Sequence, residues 1–390
     1  MADIVIDAGV NSASASGHQR TTVMVSTLVG YQFFVESDSD LMYTKTTDGG
    51  ATWGTPVDVR AGTIDRYDVW FDKWTPGDSG TLIHCFYVDS VIDDALYRTL
   101  DTNGDSLGTE RTIFAGASVA TGTVISGAKA RGGNMLCCFN LDGGTEIGTY
   151  RSTDGGVNWT ARAEAVEAAA DIFHVLPGNE SDTQDFWIIF HDDSADELSL
   201  KVYDDSANSI DETSIATGML VSPASTTCYA ASIRHSDNHL ILVAWNDYDT
   251  STADLQAWDI NGAGSITAKT NVVTNSDDAL NCCVFIDQNT GDIYVGYNGK
   301  SDGSETQGTS VHAYYKKSTD GGGSWGSETV LSASSNNKRR LWSDLGGTSS
   351  RFMPVWYVSA GPSIETNKDN SVAISPPAGG SNLVYASMVT

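Results

Sequence analysis

Thr46-Thr47-Asp48-Gly49-Gly50-Ala51-Thr52-Trp53 has two counterparts in this chain. They are Ser152-Thr153-Asp154-Gly155-Gly156-Val157-Asn158-Trp159 and Ser318-Thr319-Asp320-Gly321-Gly322-Gly323-Ser324-Trp325. All three fit [ST]-x-D-x-G-x-[TNS]-W, and each follows a strand-like run ending near Tyr43, Tyr150 or Tyr315. The pattern has the chemistry of a tight hairpin turn. Its aspartate can accept backbone N–H bonds across the turn, and its glycine takes a positive φ without steric cost. The leading Ser or Thr adds a local hydroxyl bond, and the Trp opens the returning strand with a large apolar anchor.

Working outward, the spacing is regular. Asp48 and Asp154 stand 106 residues apart and Asp154 and Asp320 stand 166 apart, which corresponds to two units of 53 and three averaging 55. Asp101, Asp204 and Asp259 fall near the intermediate positions. Within each unit four apolar, alternating runs read as strands. In the first unit these are 21–27, 31–36, 41–46 and 56–59. A four-stranded repeat of this length reads as a propeller blade.

The three turns resemble the Asp box, or BNR repeat, of the sialidase-like β-propellers. In that family the box joins the third and fourth strands of a blade, at the rim and away from the catalytic face. The resemblance therefore assigns a structural role to Thr46, Asp48, Gly50 and Trp53, to Ser152, Asp154, Gly156 and Trp159, and to Ser318, Asp320, Gly322 and Trp325. It implies fold more than chemistry.

The expected architecture is all-β: one propeller domain over 1–390, with seven four-stranded antiparallel blades. Six blades is the alternative. Residues 3–10 resemble the strand after the first box and are expected to close the last blade. Their expected partner is Asn382–Ser387, with 359–381 as a loop insertion rich in Ser, Gly, Pro and Asn.

Composition limits the function. The chain has 390 residues, with 50 acidic and 22 basic residues and a net charge of −28. Nucleic-acid binding rests on cationic neutralisation of phosphates, so that class is not expected. No stretch approaches the roughly 20 apolar residues of a membrane helix, so no membrane insertion is expected. The first ten residues lack a basic region and a long apolar core, so no signal peptide is expected. Six cysteines, at 85, 137, 138, 228, 282 and 283, sit in apolar runs and read as free buried thiols made in a reducing compartment. No Cys/His spacing suggests a metal, and no cofactor is expected. Asp101-Thr102-Asn103-Gly104-Asp105 has the look of a calcium loop, but Ser106 and Thr112 stand where such a loop needs Gly and Glu. It reads as a degenerate box.

The family's enzymes use three arginines around a substrate carboxylate, a Tyr–Glu nucleophile pair and an Asp acid/base, and carry Arg-Ile-Pro near the first blade. This chain has Gly17-His18-Gln19-Arg20-Thr21-Thr22 there and no Arg-Ile-Pro. Arg20, Arg66 and Arg340 precede or open first strands of neighbouring blades, and form the candidate anion- or glycan-binding corner. No catalytic residue is assigned. The favoured reading is a non-catalytic binding or structural module, with a glycan or other virion or surface proteins as partners and a virus or phage particle as its setting. The alternative is a sialidase-like glycoside hydrolase or lyase.

Overall fold

The structure is a computed structural model. It describes residues 2–11, 19–116, 124–141, 146–163, 172–178, 182–192, 195–219, 229–246, 253–276, 281–301, 305, 311–335, 338–358 and 361–374. Seven antiparallel sheets of four main strands follow one another along the chain. The one helical turn among the described residues is a 3-10 turn at Asp72–Trp74. No described helix is long and apolar enough to cross a membrane.

Blade one is Thr22–Met24, Gly30–Val35, Leu41–Thr46 and Val57–Arg60. Blades two to six repeat its order, opening with Ile64–Phe71, Ile125–Lys129, Ile172–Pro177, Tyr229–Arg234 and Cys282–Asp287. These first strands are largely buried, because neighbouring blades cover both faces, and they carry buried polar side chains such as Asp68, Ser126, His174 and Ser232 among their apolar residues. Cys137 and Cys138, paired with Tyr150 and Thr149 across the ladder, occupy the buried second strand of blade three, Met135–Leu141. Among the described residues five cysteines are free and buried.

Blade seven runs Lys338–Trp342, Val355–Val358, Ser363–Thr366 and then Ile4–Asp7 from the other end of the chain. The N-terminal strand thus closes the last blade, but against Ser363–Thr366. That partner lies inside the stretch expected to be a loop, while Asn382–Ser387 lies outside the described residues. The physical reason is visible in the strand itself. Ile364 enters an apolar cluster with Ile6, Phe34, Trp342 and Tyr357, so one buried side chain fixes its register. Asp3 then locks the seam. It accepts from Ala333 N at 2.7 Å, Asn367 Nδ2 at 3.0 Å, Ser334 Oγ at 2.8 Å and Lys338 Nζ at 3.0 Å. Lys338 is fully buried and its ammonium lies 5.0 Å from the Trp356 ring centre.

The three repeated turns join third to fourth strands in blades one, three and six. In blade three Ser152 Oγ donates to Asp154 Oδ1 at 2.9 Å and accepts from Gly156 N at 2.9 Å. Asn158 donates to Asp154 through its backbone N at 2.9 Å and its side chain at 2.6 Å. Thr46/Asp48/Thr52 and Ser318/Asp320/Ser324 repeat this set. Gly156 needs to be glycine twice over: its φ is 86°, and a Cβ would lie 2.1 Å from the Tyr97 ring of blade two.

Candidate functional site

First strands of a propeller surround the ring axis, so the axial channel is where side chains from many blades meet. Arg20, immediately before blade one, turns into this wall. Its Nε donates to Asp68 Oδ1 at 2.9 Å, and its Nη2 pairs with Asp68 Oδ2. Nη2 also reaches Ser126 Oγ at 2.9 Å and the Gly127 carbonyl at 2.8 Å, and Nη1 donates to the Val175 carbonyl at 2.9 Å. The guanidinium lies 4.7 Å from the Trp70 ring centre. One buried arginine therefore ties together the inner ends of blades one to four.

The other two arginines of the expected corner differ from Arg20 and from each other. Arg66, on blade two, donates to the carbonyl of its neighbour Asp65 at 2.7 Å, and burial pulls its pKa down. Arg340 occupies a bulge in the first strand of blade seven, with a left-handed φ of 56°. Arg20 is thus engaged inside the wall rather than presented at a corner. Its partner Asp68 lies 48 residues away in sequence, so only the adjacency of blades one and two creates the pair.

Above this wall the channel widens into a cavity of about 40 Å³, lined by Gln19, His174, Tyr229, Cys283, Trp342 and Leu345 among others. None of its described lining residues is an aspartate or glutamate. Gln19 is 4% exposed, and neither end of its amide has a partner among the described residues; the Trp342 indole N–H also lacks one. His174 and Tyr229 sit with ring centres 5.0 Å apart, and the Tyr229 hydroxyl donates to the Ile189 carbonyl at 3.2 Å. Burial pushes the Cys283 thiol up to about 12, which keeps it protonated and unreactive.

Below the cavity the axis is plugged. Trp70, Trp74, Ile233 and Leu345 leave no room for water. Trp70 and Trp74 meet edge to face with centres 5.6 Å apart. Trp74 Nε1 donates at 2.8 Å to Asp344, a fully buried carboxyl that also takes the Ser350 hydroxyl and the Met24 N–H. Burial pushes Asp344 up to about 7 in spite of these donors. Beyond the plug, on the side of the repeated turns, a second cavity of about 300 Å³ is bordered by Phe71, Lys73, His235 and Gly346–Ser350. The channel is therefore two separate wells.

Gln19, His174, Tyr229 and Trp342 carried no local signal. They lie in four different blades or their leads, and only ring closure gathers them. The one available cue was Gln19 itself, a long polar residue at the lead into a buried strand.

No protein-family model and no curated protein matches this chain. Solved structures do. An ulvan lyase, a polysaccharide lyase solved with -[GlcA(1-4)Rha3S]- bound, is 9% identical and matches over 94% of each chain at a TM-score of 0.62. Hydrazine synthase of Kuenenia stuttgartiensis is 8% identical, covering 92% of this chain and 96% of its own at 0.55. The SapL1 lectin, in complex with alpha methyl fucoside, is 13% identical, covering 83% of this chain and 98% of its own at 0.50. At these identities the likeness concerns the fold, and the three functions show how little the fold dictates.

Proposed function

We propose that this protein is a non-catalytic, sialidase-like propeller of the Asp-box type that binds saccharides at the upper axial well. The observation that carries the reading is the unpartnered amide of Gln19 in a well walled by Tyr229 and Trp342. A buried amide without partners is costly unless something else completes it. One carbonyl and one NH₂ on the same group match the donor–acceptor character of adjacent sugar hydroxyls. A volume of about 40 Å³ admits a sugar's exocyclic tip or a few waters, but not a whole ring. The sugar would therefore insert one substituent and rest its ring on the mouth.

Glycoside hydrolysis by a carboxyl pair, like the Tyr–Glu pair and Asp acid/base of the sialidase-like enzymes, needs carboxyl groups at the bond, and the described lining supplies none. Arg20, one of the three arginines of the candidate anion-binding corner, is engaged by Asp68. The lectin neighbour with its fucoside and the lyase with its bound oligosaccharide support the ligand class. A place on a virus or phage particle belongs to the same proposal, supported by the unbridged buried thiols. The experiment is a glycan array followed by titration of the best sugar. Gln19→Ala should weaken binding roughly fivefold to tenfold, the worth of about one good hydrogen bond. A blank array, or equal affinity of the variant, would remove the reading.

A second reading, a polysaccharide lyase, is favoured by His174 and Tyr229 lining the same well. A lyase needs one group to remove a proton and one to return it. Ultraviolet absorbance of an unsaturated uronate product, abolished in His174→Ala, would establish it over binding alone.

A further inference from the structure

Between the outer strands of blades five and six a cavity of about 330 Å³ opens on the flank of the ring. It exists because the fourth strand of blade five is broken. Ile266–Ala268 and Val273–Ser276 pair separately with the third strand, Ala253–Ile260. Lys269 N and Val272 N still bond to the Ala257 and Leu255 carbonyls at 2.8 and 2.7 Å, so Thr270 and Asn271 are pushed out of the ladder as a bulge. Across the gap, the fourth strand of blade six is only Thr329–Val330.

Trp325, the tryptophan of the third repeated turn, lines this cavity and is fixed there. Its Nε1 donates to the Thr270 carbonyl at 2.8 Å, and Thr270 N donates to the Gly322 carbonyl at 3.1 Å. Its counterpart Trp159 is instead covered by Phe86 and Tyr97, with centres 6.2 and 5.5 Å away. Beside Trp325 stands Lys316. Its half-buried ammonium donates to the Val272 carbonyl at 2.9 Å and has no carboxylate within ion-pair distance among the described residues. Burial pulls its pKa down, and Glu328 alone opposes that. Glu328 itself is held by the Tyr297 hydroxyl at 2.6 Å and by Ser301 N at 2.8 Å. A chain with 50 acids for 22 bases thus leaves one half-buried ammonium without an ion-paired acid among the described residues, next to an indole and the hydroxyls of Thr274 and Ser301.

We infer that this flank groove is a second binding site, for an acidic saccharide. The anionic group meets Lys316, where a charge-assisted bond would relieve the desolvated ammonium. The apolar face of the sugar lies on Trp325, and Thr274, Ser301 and Asn271 face its hydroxyls. The anion could be a carboxylate or a sulfate, which offer the same oxygens to the ammonium. Only the sugar part rests on the saccharide-binding reading above; the anion part rests on Lys316.

The test is calorimetric titration of the full chain with three probes: an oligogalacturonide, a heparin tetrasaccharide and neutral maltotetraose. Wild type should bind one or both acidic probes more tightly than the neutral one, and which one it prefers tells carboxylate from sulfate. Lys316→Met should weaken acidic-probe binding about tenfold or more, the worth of a charged hydrogen bond, with an unchanged melting temperature. Lys316→Arg should retain most of it, and Trp325→Ala should weaken it further if the variant folds. Gln19→Ala should leave the Lys316-dependent part of that binding untouched, whatever it does at the axial well. Acidic-probe affinity that is absent, or indifferent to Lys316→Met, overturns the groove whatever happens at the axial well. Loss confined to Lys316→Met, with Gln19→Ala altering no sugar's binding, upholds the groove and removes the axial reading.

Discussion

The outer turns of blades one, three and six solve a problem that those of blades two, four and five solve differently. In the first group each turn is stapled to itself: the Ser or Thr, the Asp and the residue before Trp bond to one another within seven residues of sequence. In the second group one aspartate of each turn reaches beyond its own turn, although Asp204 of blade four also staples itself to Ser206 and Ala207. Asp105 of blade two bonds Lys45 of blade one at 2.7 Å and its neighbour Tyr31. Asp205 of blade four takes Arg151 at 2.9 Å and Asn134 Nδ2 at 3.0 Å, both from blade three. Asp259 of blade five gathers His239 at 2.5 Å and Arg234 at 3.3 Å from its own blade's first turn. Self-stapled turns leave a readable motif because their partners are near in sequence. Outward-stapled turns leave only an isolated aspartate, because the partner lies 20 or more residues away, in another turn of the same blade for Asp259 or in the neighbouring blade for Asp105 and Asp205.

The comparison predicts that stability losses scale with how many blades a staple joins. The largest should follow deletion of residues 2–10. That removes the Asp3 contacts and the outer strand of blade seven, and exposes an unpaired sheet edge. The melting temperature should fall far more than terminal trimming usually costs, and the protein should aggregate; an unchanged melt would contradict ring closure by this strand. Next comes Asp205→Ala, which strips Arg151 of its partner between two blades. About 2 kcal/mol in denaturant unfolding is expected, below the fully buried range because Arg151 is 23% exposed.

A self-stapled turn should be cheaper to damage. Ser152→Ala removes a buried hydroxyl that serves Gly156 N and Asp154, for about 1–1.5 kcal/mol. A loss greater than that of Asp205→Ala would invert the ranking. The smallest effect is a pH slope. Hydrogen bonds from the Asn158 backbone and side chain hold Asp154 at about 2, against an ordinary 3.8. The Ser324 hydroxyl and amide do the same for Asp320. At Asp48 slight burial works the other way, yet the Thr52 hydroxyl and amide still bring it to about 2. A depressed folded pKa means stability that is complete above about pH 4 and lost as pH falls through about 2. Asp154→Asn should lower stability at pH 7, where the ionised carboxylate contributes in full, and flatten the wild-type decline in that window.

This division also explains what was legible. The repeated turns, the blade period and the need for an N-terminal closing strand are local or periodic, and they read directly from sequence. Ser363–Thr366 did not, because a four-residue strand with a single apolar side chain carries too little pattern beside the more strand-like Leu383-Val384-Tyr385. The position of Arg20 was legible but its direction was not, since Asp68, Ser126 and Val175 meet it only across three further blades. The axial well is likewise made from side chains that only the closed ring brings together, and the flank groove from side chains that meet only where blades five and six pack.

The central claim is that the ring recognises a saccharide and leaves it intact. Incubating the protein with its best array sugar, titrating wild type and Gln19→Ala, and then analysing the recovered sugar by mass spectrometry tests both halves. The account predicts saturable binding by wild type, roughly fivefold to tenfold weaker binding by Gln19→Ala, and a sugar of unchanged mass. A cleaved or unsaturated product, or two identical affinities, would contradict it.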